Sequence, residues 1–315
     1  MKYYVGIDLG GTNIVAGVVD EEYNIIAKAS TKTNCPRPEK EIADDMARMA
    51  VEAVKNAKLT MDDIEWIGVG TPGIANSSTG IIEYSNNLGF KDTPMVKYIQ
   101  ESINKPVFIE NDANAAAYGE YVAGAAKGAK NAVCITLGTG VGGGIIIDGK
   151  VVSGAIGCGG EIGHMVIEPD ETELCGCGGH GHLEQYASAT GVVRLAKKEL
   201  EATDEESELR KSDNLTAKQV WIAAKNGDAL ALRVVDAFGR YLAHALGNIA
   251  SVVDPEIFII GGGMSNAGEF LLDQVKKYYG KNLFAPLRDK KFALAEFGND
   301  AGIYGAAKLL LTSLE

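Results

Sequence analysis

Apolar runs alternate with short turns at the amino terminus: YYVGIDLG, NIVAGVVD and YNIIAKAS, joined by GlyThr and AspGluGlu, read as three consecutive strands. Apolar positions then recur at helical spacing through IADDMARMAVEAVKNA, which predicts a helix over about 40–58, and Ile64–Val69 predicts a buried strand running into GTPG. PVFIENDANAAAYGEYVAGA, residues 106–125, reads as a buried strand that passes through Asn111 and Asp112 into an alanine-rich helix. Such a junction leaves Asp112 at the surface of a cleft or as the N-cap of the helix. From 183 to about 200 the chain turns helical and then highly charged (KKELEATDEESELRKSDN), read as a solvated helix and loop without chemistry. A long helix is predicted over 229–252 with Asp228 as N-cap, and a last one over 301–313 with Asp300 as its cap.

A shift of 128 residues lays VGIDLGGTNIVAGVVD (5–20) over VCITLGTGVGGGIIID (133–148), with Val5/Val133, Ile7/Ile135, Leu9/Leu137, Gly10/Gly138 and Asp20/Asp148 coinciding. Two later strands, IGVGTPG at 67–73 and IFIIGGG at 257–263, each enter a glycine turn. The chain reads as duplicated, two α/β halves of similar plan with a cleft between them.

Composition then narrows the function classes. A chain of 315 residues with 46% hydrophobic positions suits about two globular domains. No run approaches the ~18 apolar residues of a membrane span, and the start turns polar and glycine-rich too early for a signal peptide, so a cytoplasmic protein without membrane partners is expected. A net charge of −12 and the lack of a basic stripe argue against nucleic acid. Five cysteines, an odd number, make a disulfide framework a poor reading.

Leu137–Gly144, LGTGVGGG, contains a GxGxxG spacing, yet the turn opens the apolar strand GGIIIDGKVV rather than the helix that a dinucleotide site requires, and no GxxxxGK[ST] motif is present. Glycine-rich hairpin turns still hold phosphate, because backbone N–H groups reach anion oxygens when no side chain intervenes. Gly10–Thr12 and Gly138–Gly144 are two such turns at equivalent points of the repeat.

Taken in order, DLGGTNIVAGVVD, GTPG, ENDANAAAYGE, LGTGVGGG, GGEIGHM, CGCGGHGHLEQYAS and IIGGGMS, spread from residue 8 to 265, resemble the ROK family of sugar kinases. The resemblance implies the actin-like ATPase (ribonuclease H-like) fold, with a smaller domain of residues 1–117 plus 301–315 and a larger one of 118–300. It implies ATP-dependent phosphorylation of a hexose 6-hydroxyl, glucose first, with N-acetylhexosamines, mannose or fructose as alternatives and a sugar-sensing regulator lacking its DNA-binding module ranked below them, by a homodimer or homotetramer. Asp112 becomes the candidate base, and Asp8 the group that orients Mg²⁺ or its waters. ATP falls to Asp8, Gly10, Gly11, Thr12, Gly138, Thr139, Gly140, Gly262 and Gly263. The sugar falls to Asn87 (with Asn86 beside it), Asn111, Asp112, Glu161, His164 and Glu184.

Cys175 and Cys177, with His164 upstream and His182 downstream, supply four ligands suited to tetrahedral zinc. The resemblance implies a structural Zn²⁺ held by one histidine and three cysteines, with His182 here in the third cysteine position and His180 as the substitute. Cys35, Cys134 and Cys158 read as packing residues.

Overall fold

The structure, a computed structural model, describes residues 1–308, the side chain of Asn299 excepted. Two units emerge: Met1–Lys130 with Gly144–Gly160 and the segment from Glu296, and Asn131–Gly143 with Glu161–Ala295. The first boundary thus falls after Lys130 instead of after 117, and the chain also changes unit at 143/144 and 160/161. The physical reason lies in the helix that begins at Asp112, which continues to Val122 and packs on the carboxy-terminal helix of the same unit.

In the first unit, β1 (Tyr3–Leu9) pairs antiparallel with β2 (Asn13–Asp20), and β2 with β3 (Ile25–Lys32). Helix α1 (Glu39–Asn56) lays Ile42, Met46, Met49 and Ala50 against this meander. Strand β4 (Ile64–Thr71) runs parallel to β1, and a small antiparallel sheet follows, built of β5 (Ile74–Asn76), β6 (Ile81–Ser85) and β7 (Phe90–Thr93). Helix α2 (Met95–Ser102) leads to β8 (Val107–Asn111), parallel to β4, and then α3 (Asp112–Val122). The sheet order is β3-β2-β1-β4-β8.

The second unit opens with β9 (Ala132–Leu137) and the first residues of β10 (Val141–Ile147), whose remainder belongs to the first unit, where it pairs with β11 (Lys150–Val151). After the glycine-rich stretch come α4 (Glu184–Ala187), α5 (Ala189–Ala202), α6 (Ala217–Lys225) and α7 (Ala229–Val253). Next are β12 (Ile257–Gly261), α8 (Glu269–Lys276) and β13 (Lys291–Leu294). Helix α7 buries Leu230, Val234, Phe238, Leu242 and Leu246 at helical spacing, and Asp228 caps it by accepting from the Ala231 N–H at 2.9 Å, as the sequence predicts.

This sheet has the order β11-β10-β9-β12-β13, the same plan as the first. Each sheet has a hairpin whose first strand takes a parallel neighbour, β4 in one and β12 in the other. Those neighbours are the two strands that the repeat singles out, so the duplication holds at the level of topology.

Helix α9 (Ala301–Lys308) completes the first unit; residues 309–313 of the expected helix lie outside the described residues. Its packing depends on glycines that let backbone meet backbone. A Cβ on Gly68 would stand 1.7 Å from the Ala306 carbonyl oxygen, one on Gly6 2.0 Å from that of Ile303, and one on Gly305 1.6 Å from that of Ala115. Trp66 Nε1–H donates to the Ala307 carbonyl at 2.8 Å, closing the same interface. Gly68→Ala is therefore expected to cost roughly 2–3 kcal/mol or more, since neither helix nor strand can retreat without opening the core. The midpoint of urea unfolding checks this; an unchanged midpoint contradicts the packing.

Candidate functional site

Parallel strands β1, β4 and β8 end side by side, and their register decides which side chains meet. Asp8 lies opposite Gly70, Gly70 opposite Glu110, and Thr71 opposite Asn111. The carboxyl ends of such strands are where α/β sheets receive ligands, because backbone groups and loop side chains converge there. Gly70 keeps the row open: a Cβ on it would lie 3.6 Å from the Asp112 Cα.

The helix that follows β8 is capped by Asn111, not Asp112. Asn111 Oδ1 accepts from the N–H groups of Ala113 and Asn114 at 2.9 and 3.1 Å, while its Nδ2 donates to the Gly73 carbonyl at 2.9 Å. Asp112 is thereby released from the capping role that the sequence also allowed. It occupies the first helical position, with Oδ1 accepting from the Ala113 N–H at 2.8 Å. Glu110, 5% exposed, supports the junction by accepting from the Asn111 N–H, Asn114 Nδ2 and Ser153 Oγ.

Three carboxylates converge on this point. Burial pushes the Asp8 carboxyl up to about 6, with Asp112 and Asp300 adding repulsion, and burial likewise raises Asp112 despite its backbone hydrogen bond. Asp300 is itself paired with Lys28 Nζ at 2.8 Å. A cation would relieve this repulsion, and Asp8 offers a hard oxygen donor suited to Mg²⁺. Gly10 N–H donates to the Asn13 carbonyl at 2.9 Å and Thr33 Oγ1 to the Gly10 carbonyl at 2.6 Å, which fixes the β1–β2 turn. Gly11 is exposed; a Cβ there would meet nothing within 4 Å, and its backbone is not left-handed. Asn87 sits exposed in the β6–β7 turn, next to Asn86, whose Oδ1 accepts from the Tyr84 hydroxyl at 3.4 Å.

In the second unit the turn after β9 is closed by the Gly138 N–H donating to the Gly140 carbonyl at 3.0 Å, and it opens strand β10, so the dinucleotide reading fails on the observed backbone. Gly138 and Gly263, like Gly11, would meet nothing within 4 Å with a Cβ added. Gly262 differs, with φ of +79° and the Leu137 backbone 2.6 Å from a would-be Cβ, a position that only glycine fills.

The same unit gathers His164, Cys175, Cys177 and His182, whose ligand atoms all lie within 4.8 Å of one another. Cys177 Sγ is 3.2 Å from His182 Nδ1, and the His164 and His182 rings meet edge-on at 5.4 Å. His182 completes the group and His180 lies outside it, each in a short backbone bridge, His182 with Val166 and His180 with Leu174. Burial and the neighbouring His164 lower the His182 pKa and so favour the neutral imidazole that metals require. Two sulfurs and two imidazoles within this span can hold a metal ion with no open position. Glu161 Oε2 lies 3.9 Å from His164 Nε2. Glu184 directs one oxygen to the Val141 N–H at 3.0 Å and the other to Cys175 Sγ at 3.8 Å.

Beside Thr139 opens a cavity of about 660 Å³, lined among others by Thr190, Val193, Arg194, Lys197 and Leu215. The sequence reading left this helix without chemistry. Arg194 stays fixed through Glu171 and Glu173, and Lys198 pairs with Glu173 at 2.7 Å. Only the tertiary fold brings these side chains to the glycine turn, and the charge run alone carries no sign of it. Among the described residues no helix is long and apolar enough to cross a membrane, and none of the five cysteines forms a disulfide.

The model of the ROK family matches residues 4–313. A glucokinase of Streptomyces coelicolor is 39% identical over 98% of both chains, and one of Halalkalibacterium halodurans is 39% identical over 98% of this chain and 95% of that one. A crystal structure of a ROK family glucokinase from Streptomyces griseus in complex with glucose and AMPPNP is 37% identical, with a TM-score of 0.81 and 98% of both chains covered. The duplicated α/β plan is the actin-like ATPase fold.

The carboxylate cluster sets a pH test. Asp8 holds a proton in the folded protein between its ordinary 3.8 and about 6, where the unfolded chain has released it, so its contribution falls as pH rises through that window and stays lost above it. Asp8→Asn should then stabilise the metal-free protein above pH 6 by up to roughly 3 kcal/mol and have little effect near pH 4. Equal shifts in thermal midpoint at both pH values contradict the burial and repulsion described.

Proposed function

Since the chain belongs to the ROK family, we propose that it transfers the γ-phosphoryl group of ATP to the 6-hydroxyl of a hexose, with glucose as the substrate. The observation that carries this reading is Asp112: a half-buried carboxylate at a strand-to-helix junction, excused from capping by Asn111 and held above the usual carboxylate range. Phosphoryl transfer asks the protein for positioning, charge neutralisation and one group to accept the hydroxyl proton. Asp112 takes that proton as the sugar oxygen attacks phosphorus, and its raised pKa brings it closer to the operating pH, which favours general-base action.

Gly10, Gly11 and Thr12, and Gly138, Thr139, Gly140, Gly262 and Gly263, are the residues assigned to the phosphates; the Gly10 and Gly138 N–H groups close their own turns, which leaves donation to the other residues. Gly11, Gly138 and Gly263 support this, because neither crowding nor a left-handed backbone accounts for glycine there. The cavity beside Thr139 suits the nucleoside half of the donor. Asp8 would hold Mg²⁺, which would supply neutralisation of the donor's phosphate charge.

For the sugar, Asn87, Asn111, Glu161, His164 and Glu184 supply donors and acceptors for neighbouring hydroxyls. The Asn111 amide keeps one N–H beyond its bond to Gly73. A structural zinc on His164, Cys175, Cys177 and His182 would fix the loop bearing Glu161 and Glu184. A homodimer or homotetramer in the cytoplasm, where these thiols stay reduced, completes the reading.

Two experiments test it. A coupled ADP-release assay over hexoses and acetylated hexosamines should give the highest kcat/KM with glucose, only with Mg²⁺ present; no ADP release with any sugar sinks the kinase reading. Asp112→Asn should lose roughly 10²–10⁴-fold in kcat with little change in sugar KM. For the wild type, kcat/KM is expected to fall on the acid side through an apparent pKa above the ordinary carboxylate range, because the base works only when ionised. Retained turnover in Asp112→Asn contradicts the assignment.

A further inference from the structure

The glycine turn and the Cys/His cluster lie in one unit, and the contacts between them are specific. Val141, the residue that leaves the turn, donates its N–H to Glu184 Oε2 at 3.0 Å. A Cβ on Gly140 would fall 2.1 Å from that same oxygen, so the turn is moulded to the carboxylate. On the other side, a Cβ on Gly163 would fall 2.1 Å from the Val141 carbonyl oxygen, so the residue adjoining His164 presses on the backbone that Glu184 holds. Glu184 Oε1 in turn lies 3.8 Å from Cys175 Sγ. Beyond Glu184, the Ala189 N–H donates to the Gly138 carbonyl and Thr190 Oγ1 to the Thr139 carbonyl, each at 2.8 Å.

Each side of the turn is therefore touched by a group attached to a cluster residue: Gly163 next to His164, and Glu184 both two positions after His182 and in contact with Cys175. Resting on the reading of this turn as the donor-phosphate site, we propose that Glu184 is a positioning residue that couples the Cys/His cluster to the turn, so that metal and nucleotide bind cooperatively. Filling the cluster fixes His182 and Cys175, these fix Glu184 and residues 188–190, and the N–H groups of the turn are then held in one arrangement before the phosphates arrive. A turn fixed in advance costs less ordering on binding. Linkage makes the effect reciprocal: whatever factor the metal adds to nucleotide affinity, the nucleotide adds to metal affinity.

The test uses the full chain loaded with Zn²⁺, titrated with a chromogenic chelator in the presence and absence of saturating MgADP, with ADP binding followed separately by calorimetry. Zinc affinity should rise roughly fivefold or more with MgADP present. Glu184→Ala should still load zinc, and in it the factor should fall close to one, whereas a zinc that only braces the fold would leave the factor indifferent to Glu184. The proposal is overturned if wild-type protein binds ADP yet holds zinc equally well with and without it, or if Glu184→Ala keeps the full factor. Should ADP fail to bind at all, the donor reading of the turn falls and this coupling with it. If Glu184→Ala does not fold, the wild-type factor alone decides.

Discussion

Backbone-to-backbone contact between α9, α3 and the strands β1 and β4 is the constraint on which the first unit depends. Side chains at Gly6, Gly68 or Gly305 would overlap carbonyl oxygens within about 2 Å of where a Cβ would stand, so the helices lie against their neighbours more closely than ordinary core packing allows. That closeness has a chemical result. The first turn of α9 passes Asp8, with a would-be Cβ on Gly302 only 3.4 Å from the carboxyl carbon, and α3 begins at Asp112. Two carboxylates are thus held at the ends of parallel strands by packing that has no slack. Their raised pKa values follow from that confinement, not from any motif.

The glycines divide by physical role. Some are there for the fold, as at Gly68, where backbone intrudes, or Gly262, where φ is left-handed. Gly11, Gly138 and Gly263 have open space and an ordinary backbone, and the fold gives no reason for them. All three lie just after strands, at the carboxyl edges of the two sheets, where a backbone free of side chains can be approached closely.

Much of this plan can be read along the chain. The three amino-terminal strands, the helix over 40–58, the Asp228 cap and the repeat at 128 residues all follow from local periodicity and turn chemistry, and each appears within a residue or two. The same periodicity is silent on partners far apart in sequence. Asn111 takes the cap because its amide also reaches Gly73, a strand away, and no local pattern distinguishes it from Asp112 in that role. Arg194 and Lys197 look like part of a solvated charge run, yet α5 turns them toward a cavity at Thr139. Glu184 meets Val141 across 43 positions, a contact that spacing cannot announce. The cluster is legible as chemistry, whereas the choice of His182 over His180 needs the folded loop, which half-buries His182 beside Cys177 and leaves His180 exposed.

The central claim is that Asp112 draws the proton from the attacking sugar hydroxyl. A crystal structure of the protein with glucose and a non-hydrolysable ATP analogue measures it most directly, through the distance from the Asp112 carboxylate to the sugar O6. The account predicts about 2.6–3.2 Å, a hydrogen bond aligned with the γ-phosphorus. An Asp112 carboxylate out of reach of O6, with no water between them and a different base in contact, would contradict it.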